Sequence, residues 1–376
     1  MARIINLNNG EVVNEVSNNN ENATIKVSAA QPVAWQGIQG CKSFSTPVTI
    51  KEAVEAVGAD YNVEKQSLLR VSDEIATKIR NNEAFDLEVS ANNLIESHKA
   101  TVRMDSNKTL GVVGADYGVV QNSKAFEFID LMTSGTIGGE QRPIIETAGI
   151  LRDGARMYVT AKLPENIRID GDKDGISDYL LFTNTHDGSG AVECLFTPIR
   201  VICQNTLNMA LRGAKNKLVF KHTKNVGDRL DWEREENIQR AVAVLEMHKK
   251  YKAKFIEDMT NLRSQKISEG DAMKFVNQIF CTPAELKLIE QNNGNPYGVE
   301  EISTRKRNQI TDLMNAIENG IGQHEHRGTK LWLLNGLTTF YGNNKKWTTA
   351  EDKYNSILDG DVARKVQKGY DFLLAC

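Results

Sequence analysis

The sequence is short of cysteine, of long apolar runs and of excess charge, and each shortage removes a class of protein. Its five cysteines, Cys41, Cys194, Cys203, Cys281 and Cys376, are scattered and odd in number. They trace neither a disulfide framework nor a C-x-x-C metal knuckle. No stretch reaches the roughly 18 consecutive apolar residues of a membrane helix. The opening MARIINLNNGEVVNEVSNNN has no basic region leading into an apolar core, as a signal peptide would. A cytoplasmic protein without a membrane partner is expected. The formal net charge of -3 rules out a uniformly basic nucleic-acid coat and leaves a local basic face open. Gly111, Gly114 and Gly118 are followed by no Gly-Lys-Ser/Thr and lack the spacing of a nucleotide fingerprint, so no cofactor is expected.

What is present is enough for a large core: 376 residues, 40% of them hydrophobic, give room for two or three structural units. Residues 1–30 are rich in asparagine and read as a flexible arm or a peripheral hairpin. Residues 31–230 read as an α+β core domain, and residues 231–376 as a helical carboxy-terminal region. The fold class expected is therefore α+β, with a central antiparallel, hairpin-rich sheet packed with helices and followed by a mostly helical half.

In the core, Thr49 and Glu52 make a capping-box pattern ahead of an apolar face of Ala53, Val54 and Val57. A helix is expected around Ile75 and Ile79. Strands are expected at Thr101 to Met104, Leu110 to Val113 and Tyr117 to Val120, and a helix from Asn122 or Ser123 that buries Phe126, Ile129, Leu131 and Met132. Two hairpins follow. Ile144 to Ile150 pairs with Met157 to Leu163 around Arg152-Asp153-Gly154. Tyr179 to Thr183 pairs with Val192 to Phe196 through a turn in which His186 and Asp187 face solvent. Ile199 to Cys203 continues the sheet, and Gln204-Asn205-Thr206 opens a helix.

The run Asp170-Gly171-Asp172-Lys173-Asp174-Gly175 has the alternating carboxylates of a calcium loop. Leu181 stands where a bidentate glutamate is needed, so a polar connection between strands is preferred and no metal site is assigned. His324-Glu325-His326 likewise lacks further ligands at a recognisable spacing.

Beyond Trp232 the apolar residues fall three or four apart, from Ile238 through Phe255 to Leu262, and predict a long helix. Further helices are marked by Ser268 with Asp271, by Thr282-Pro283 with Glu285, by Ile310 to Ile317, by Leu331 to Tyr341 and by Val362 to Tyr370. Arg305, Lys306 and Arg307 stand at the start of a helix, where the dipole disfavours cations. Either a partner or plain solvation explains them.

Several phrases carry a family resemblance: Pro32-Val33-Ala34-Trp35, LGVVGADYGVVQNSKAFEF from Leu110, AGILRDGAR from Ala148, RVICQNTLNMAL from Arg200 and FKHTKNVGDR from Phe220. In these the chain resembles a broad family of uncharacterised phage- and plasmid-encoded proteins, over about residues 30–360. The resemblance implies a mobile-element setting rather than a mechanism. Members commonly carry Asn-x-x-Thr-Glu-Tyr followed by Asp-His. This chain keeps Asn335 and Thr338 but not the acid or the histidine, which weakens any inference of an enzyme.

Between Arg212 and Arg229 stand six cations, Arg212, Lys215, Lys217, Lys221, Lys224 and Arg229, opposed by Asp228 alone. With His222 they suit a phosphate backbone, and Tyr117 and Trp35 are candidate stacking groups for bases. The same composition also suits a solvated linker, and Trp35 also suits a plug at the edge of the core. The leading expectation is a phage or plasmid accessory protein that binds nucleic acid, with single-stranded DNA favoured. The order of elements loosely resembles that of single-strand annealing proteins, which would imply a homo-oligomer. Two other classes stay open: a metal-dependent enzyme using Asp170, Asp172, Asp174, His186, Asp187 and His222, and a structural or host-protein-binding role.

Overall fold

The structure is a computed structural model that describes residues 4–5, 12–13, 41–85, 91–134, 142–169, 176–200, 205–206, 217–231, 234–320, 323–349, 352–353, 356–357 and 360–375. The chain divides into two compact units, Met1–Gln31 and Pro32–Cys376. In the first, β1 (Ile4–Ile5) pairs antiparallel with β2 (Val12–Val13).

The second unit begins with β3 (Lys42–Ser43) and α1 (Ile50–Ala56). The Thr49 hydroxyl accepts from the Glu52 amide, and the Glu52 carboxylate accepts from the Thr49 amide at 2.8 Å, so this end closes as its sequence predicts. β4 (Val63–Leu69), β5 (Leu94–Arg103) and β6 (Lys108–Gly114) form a three-stranded antiparallel sheet, with α2 (Asp73–Arg80) between the first two. α3 (Asn122–Thr133) follows.

A larger antiparallel sheet holds β7 (Ile144–Leu151), β8 (Arg156–Lys162), β9 (Ile176–Thr185), β10 (Val192–Arg200), β11 (Asn205–Thr206) and β12 (Lys217–Phe220). Its order is β11-β10-β9-β8-β7-β3, and β12 also pairs with β10. The turn from β7 to β8 holds Arg152, Asp153 and Gly154 at positive φ, the conformation a tight hairpin requires.

Every residue of β9 is buried, because both faces of this central strand are covered. Leu180 and Phe182 join the core made with α1 and α3, where the Phe128 and Phe182 rings meet edge to face at 5.0 Å. Tyr179 and Leu181 pack with Leu151 and Tyr158 on the opposite face.

The helical half is built from α4 (Val226–Arg229), α5 (Glu235–Ser264), α6 (Glu269–Phe280), α7 (Pro283–Gln291), α8 (Thr304–Asn319), α9 (Lys330–Thr339) and α10 (Asp361–Ala375). Reciprocal capping boxes at Ser268/Asp271 and Thr282/Glu285 start α6 and α7. The core of this half reaches back to Ile167, Ile169 and Ile176 of the sheet region. α9 is buried along its whole length and runs into a π turn over Phe340–Asn344. Among the described residues no helix is long and apolar enough to cross a membrane.

The α+β class and the helical second half agree with the sequence pattern, one strand is added and three local expectations are corrected. Val63–Leu69 is a strand that no sequence pattern marked. Tyr117 to Val120 is not a strand, because its backbone bonds to the segment around His222 instead of a sheet ladder. Asn205 and Thr206 are strand residues opposite Ile199 and Arg200, and the helix expected to follow them lies outside the described residues. His186 is fully buried, not solvent-facing, because the three-stranded sheet lies over the β9–β10 turn.

Candidate functional site

The two sheets meet through polar contacts. Thr101 on β5 donates its hydroxyl to the His186 carbonyl at 2.7 Å. A Cβ on Gly111 of β6 would stand 2.6 Å from the Cα of Asp187, so the β9–β10 turn lies directly on the smaller sheet. Behind the turn, Asn122 at the start of α3 is buried and organises a network. Its amide donates to the Ala59 carbonyl at 3.0 Å. Its oxygen accepts from the Asn184 amide and from His186 Nε2, both at 3.0 Å. The Nε2 proton follows from that pairing, which leaves Nδ1 of His186 a bare, buried acceptor without a partner. Burial, and then the neighbouring His222, push the His186 imidazole down to about 3.

A second clasp joins Tyr117 and Gly118 to the segment after β12. The Gly118 amide donates to the His222 carbonyl at 3.0 Å, and His222 Nδ1 returns a bond of 2.9 Å to the Gly118 carbonyl. The Tyr117 and His222 rings stack at 4.7 Å and 16°, and the Tyr117 hydroxyl donates to the Thr185 carbonyl at 2.8 Å. Burial lowers the His222 imidazole too, against the pull of the Gly118 bond and of Asp187. Asp187 accepts from the amide and hydroxyl of Ser189 and pairs with Arg152 at 2.8 Å. Burial raises its carboxyl, but these bonds outweigh that and hold it below its ordinary value. Arg103 stacks over the Tyr61 ring at 3.9 Å and pairs with Asp105 at 2.7 Å.

The arrangement is an anchor of buried polar contacts. Both imidazoles are held neutral, and among the described residues no three His, Cys, Asp or Glu side chains are placed to hold a metal ion. Asn122→Ala is expected to cost about 2 kcal/mol, because it strands the Asn184 and His186 donors in the core. Urea unfolding of the variant measures this; a loss below about 0.5 kcal/mol would mean the network stabilises little.

The sequence candidates are divided by this geometry. Lys221, Lys224 and Arg229 are exposed and enter no ion pair among the described residues, while His222, Val226 and Leu230 of the same segment are buried. His222 is therefore the anchor of the basic strip rather than part of its surface. Tyr117 has one ring face covered by His222, so it is not an open stacking platform on that side. Lys217 lies on β12. Arg212, Lys215, Trp35, Asp170, Asp172 and Asp174 lie outside the described residues. Asn184, Tyr61 and Arg103, and Asn122 beyond its place at a helix start, are far apart in the chain and carry no spacing signal for this network. Asn335, retained from the family pattern, is buried in α9 with neither amide atom hydrogen-bonded.

A cleft of about 770 Å³ lies between α6, α7 and the turn at 292–297, walled by Met273, Leu286 and Ile289 with Lys274, Lys287 and Tyr297. None of the sequence candidates lines it.

These features define an α+β protein in which a polar seam between two sheets pins a basic strip beside a helical half. The chain belongs to the family described as DUF932, a domain of unknown function, whose profile matches residues 109–369. No curated protein and no solved structure matches it.

Proposed function

We propose that this protein is a phage or plasmid accessory protein of the host cytoplasm that binds nucleic acid, single-stranded DNA in preference, through the strip from Lys217 to Arg229. The observation that supports the reading is the division within this strip. Lys221, Lys224 and Arg229 stand exposed and unpaired among the described residues, while His222, Val226 and Leu230 fix the backbone beneath them. A solvated linker has no need of such an anchor. Cations held on a fixed backbone match phosphates with less ordering cost on binding.

The test is fluorescence anisotropy with labelled single-stranded DNA, duplex DNA and RNA across a salt series. The triple change Lys221→Ala, Lys224→Ala, Arg229→Ala is expected to weaken binding roughly tenfold near 0.1 M salt. It should also flatten the log–log salt slope by about 2, since each phosphate contact on a single strand contributes about 0.7. Wild-type protein that binds none of the three, even at low salt, would overturn the reading.

A further inference from the structure

The basic triplet at the start of α8 has three different fates. Lys306 pairs with Glu285 at 2.6 Å, and Arg307 donates to the Val299 carbonyl at 3.0 Å. Arg305 is exposed and meets no carboxylate among the described residues. It lies within electrostatic reach of Lys345, as does Lys365 of α10.

Lys345 is the centre of this patch. Its ammonium sits 3.9 Å from the Trp347 ring and 5.5 Å from that of Tyr341, while Trp347 Nε1 donates to the Tyr341 carbonyl and holds the indole in place. Partial burial, then Lys365 and Arg305, hold Lys345 below the ordinary lysine value, and Asp361 pulls the other way. Lys365 lies over the Phe280 ring at 5.4 Å, and the next residue, Cys281, feels both Lys306 and Lys368. The end of α6, the start of α8, α10 and the 341–347 turn thus bring Arg305, Lys306, Lys345 and Lys365 into one neighbourhood, with Lys368 one turn beyond Lys365 on α10. Glu285 neutralises Lys306, and Asp361, 3.0 Å from Lys365, neutralises that lysine. Arg305, Lys345 and Lys368 enter no ion pair among the described residues, although Asp361 also attracts Lys345.

Lys345, partly buried on the Trp347 and Tyr341 rings, lacks the full hydration that would relieve its repulsion from Arg305 and Lys365. An anion bound between them removes that repulsion. We propose that the face formed by Arg305, Lys345 and Lys368 around Trp347 is a second phosphate-binding surface, which takes the backbone of the same single-stranded nucleic acid. The proposal rests on the nucleic-acid reading above and adds a contact that the basic strip does not contain. The cation–π contact makes Trp347 a reporter, since drawing the Lys345 ammonium toward a phosphate changes the field at the indole.

The experiment compares the wild-type chain, the triple variant Arg305→Gln, Lys345→Gln, Lys368→Gln, and Trp347→Phe. Each is titrated with a labelled oligothymidylate by anisotropy and with pyrophosphate by tryptophan fluorescence, after thermal unfolding shows the variants folded. The triple variant is expected to bind the oligonucleotide roughly tenfold more weakly with a salt slope lower by about 2. Pyrophosphate should change the wild-type emission, and the change should vanish in both the triple variant and Trp347→Phe. Unchanged oligonucleotide affinity and slope in the triple variant, with a wild type that binds, would overturn the second surface and leave the first reading standing. If the wild type binds no oligonucleotide, the nucleic-acid reading fails. A pyrophosphate response that depends on Trp347 and the three cations would then still support the phosphate site, and its absence would overturn that as well.

Discussion

Gly118→Ala is expected to detach the basic strip from the core. A Cβ built at this position stands 2.2 Å from the Thr223 carbonyl oxygen and 2.6 Å from Cγ1 of Val226. Neither neighbour has room to yield. Thr223 is backbone within a segment already fixed by two hydrogen bonds between Gly118 and His222, and Val226 is buried. Relief requires the two segments to part, which breaks both bonds and unstacks Tyr117 from His222. The loss is expected to be about 3 kcal/mol, at the upper end of what overpacking in a core costs. If the strip holds nucleic acid, affinity should fall with it. Gly114→Ala is the control, because its Cβ would meet nothing within 4 Å. That change should alter stability by no more than about 0.5 kcal/mol. Urea midpoints for the two variants decide the matter, and equal losses would show that the close approach at Gly118 is not what pins the strip.

Acid is expected to destabilise the fold well above the range in which carboxylates titrate. His186 is buried and held neutral, with its value pushed from 6.5 down to about 3, and His222 is lowered in the same direction. The unfolded chain takes up a proton at each histidine once the pH falls below about 6.5, and the folded chain does not. The contribution is therefore complete above pH 6.5 and drains away as the pH falls toward the folded value. His186 alone removes up to about 1.4 kcal/mol for each pH unit in that window.

Carboxylates held below their ordinary values, such as Asp187 and Glu285, add their own losses only at more acid pH. Asp130, raised by burial, works in the opposite direction. Denaturant midpoints at pH 7.5, 6.5, 5.5 and 4.5 should thus fall steadily below 6.5. A flat profile, or an NMR titration of His186 with a midpoint near 6.5, would show that the imidazole is not sealed in the seam.

The elements that the sequence revealed are those specified by neighbours in the chain. The capping boxes at Thr49, Ser268 and Thr282 need only a hydroxyl and a carboxylate three residues apart. The β7–β8 turn at Arg152-Asp153-Gly154 and the long helix from Glu235 to Ser264 follow equally from local geometry and spacing. The α+β class follows because hairpins precede a long series of helical periods.

Other features depend on contacts that no local pattern encodes. Val63–Leu69 is a strand because β5 pairs with it, although its own residues alternate weakly. Tyr117 to Val120 looks extended in sequence, yet its partner is the segment around His222, about a hundred residues further on. His186 and Asp187 have the composition of an exposed turn, and they are enclosed only because Thr101 and Gly111 of another sheet lie over them.

The basic character of Lys217 to Arg229 and the triplet at Arg305 were fixed by composition alone, since charge is a property of each residue. Which of those charges remain on the surface was decided by the fold. His222 turned inward because Gly118 offers it a carbonyl, and Lys306 and Arg307 were taken up by Glu285 and the Val299 carbonyl. Lys221, Lys224, Arg229 and Arg305 stayed exposed because no carboxylate was brought near them among the described residues. A sequence states how many charges a chain carries, but their pairing depends on distances of a few ångströms between distant segments, which only the folded chain sets.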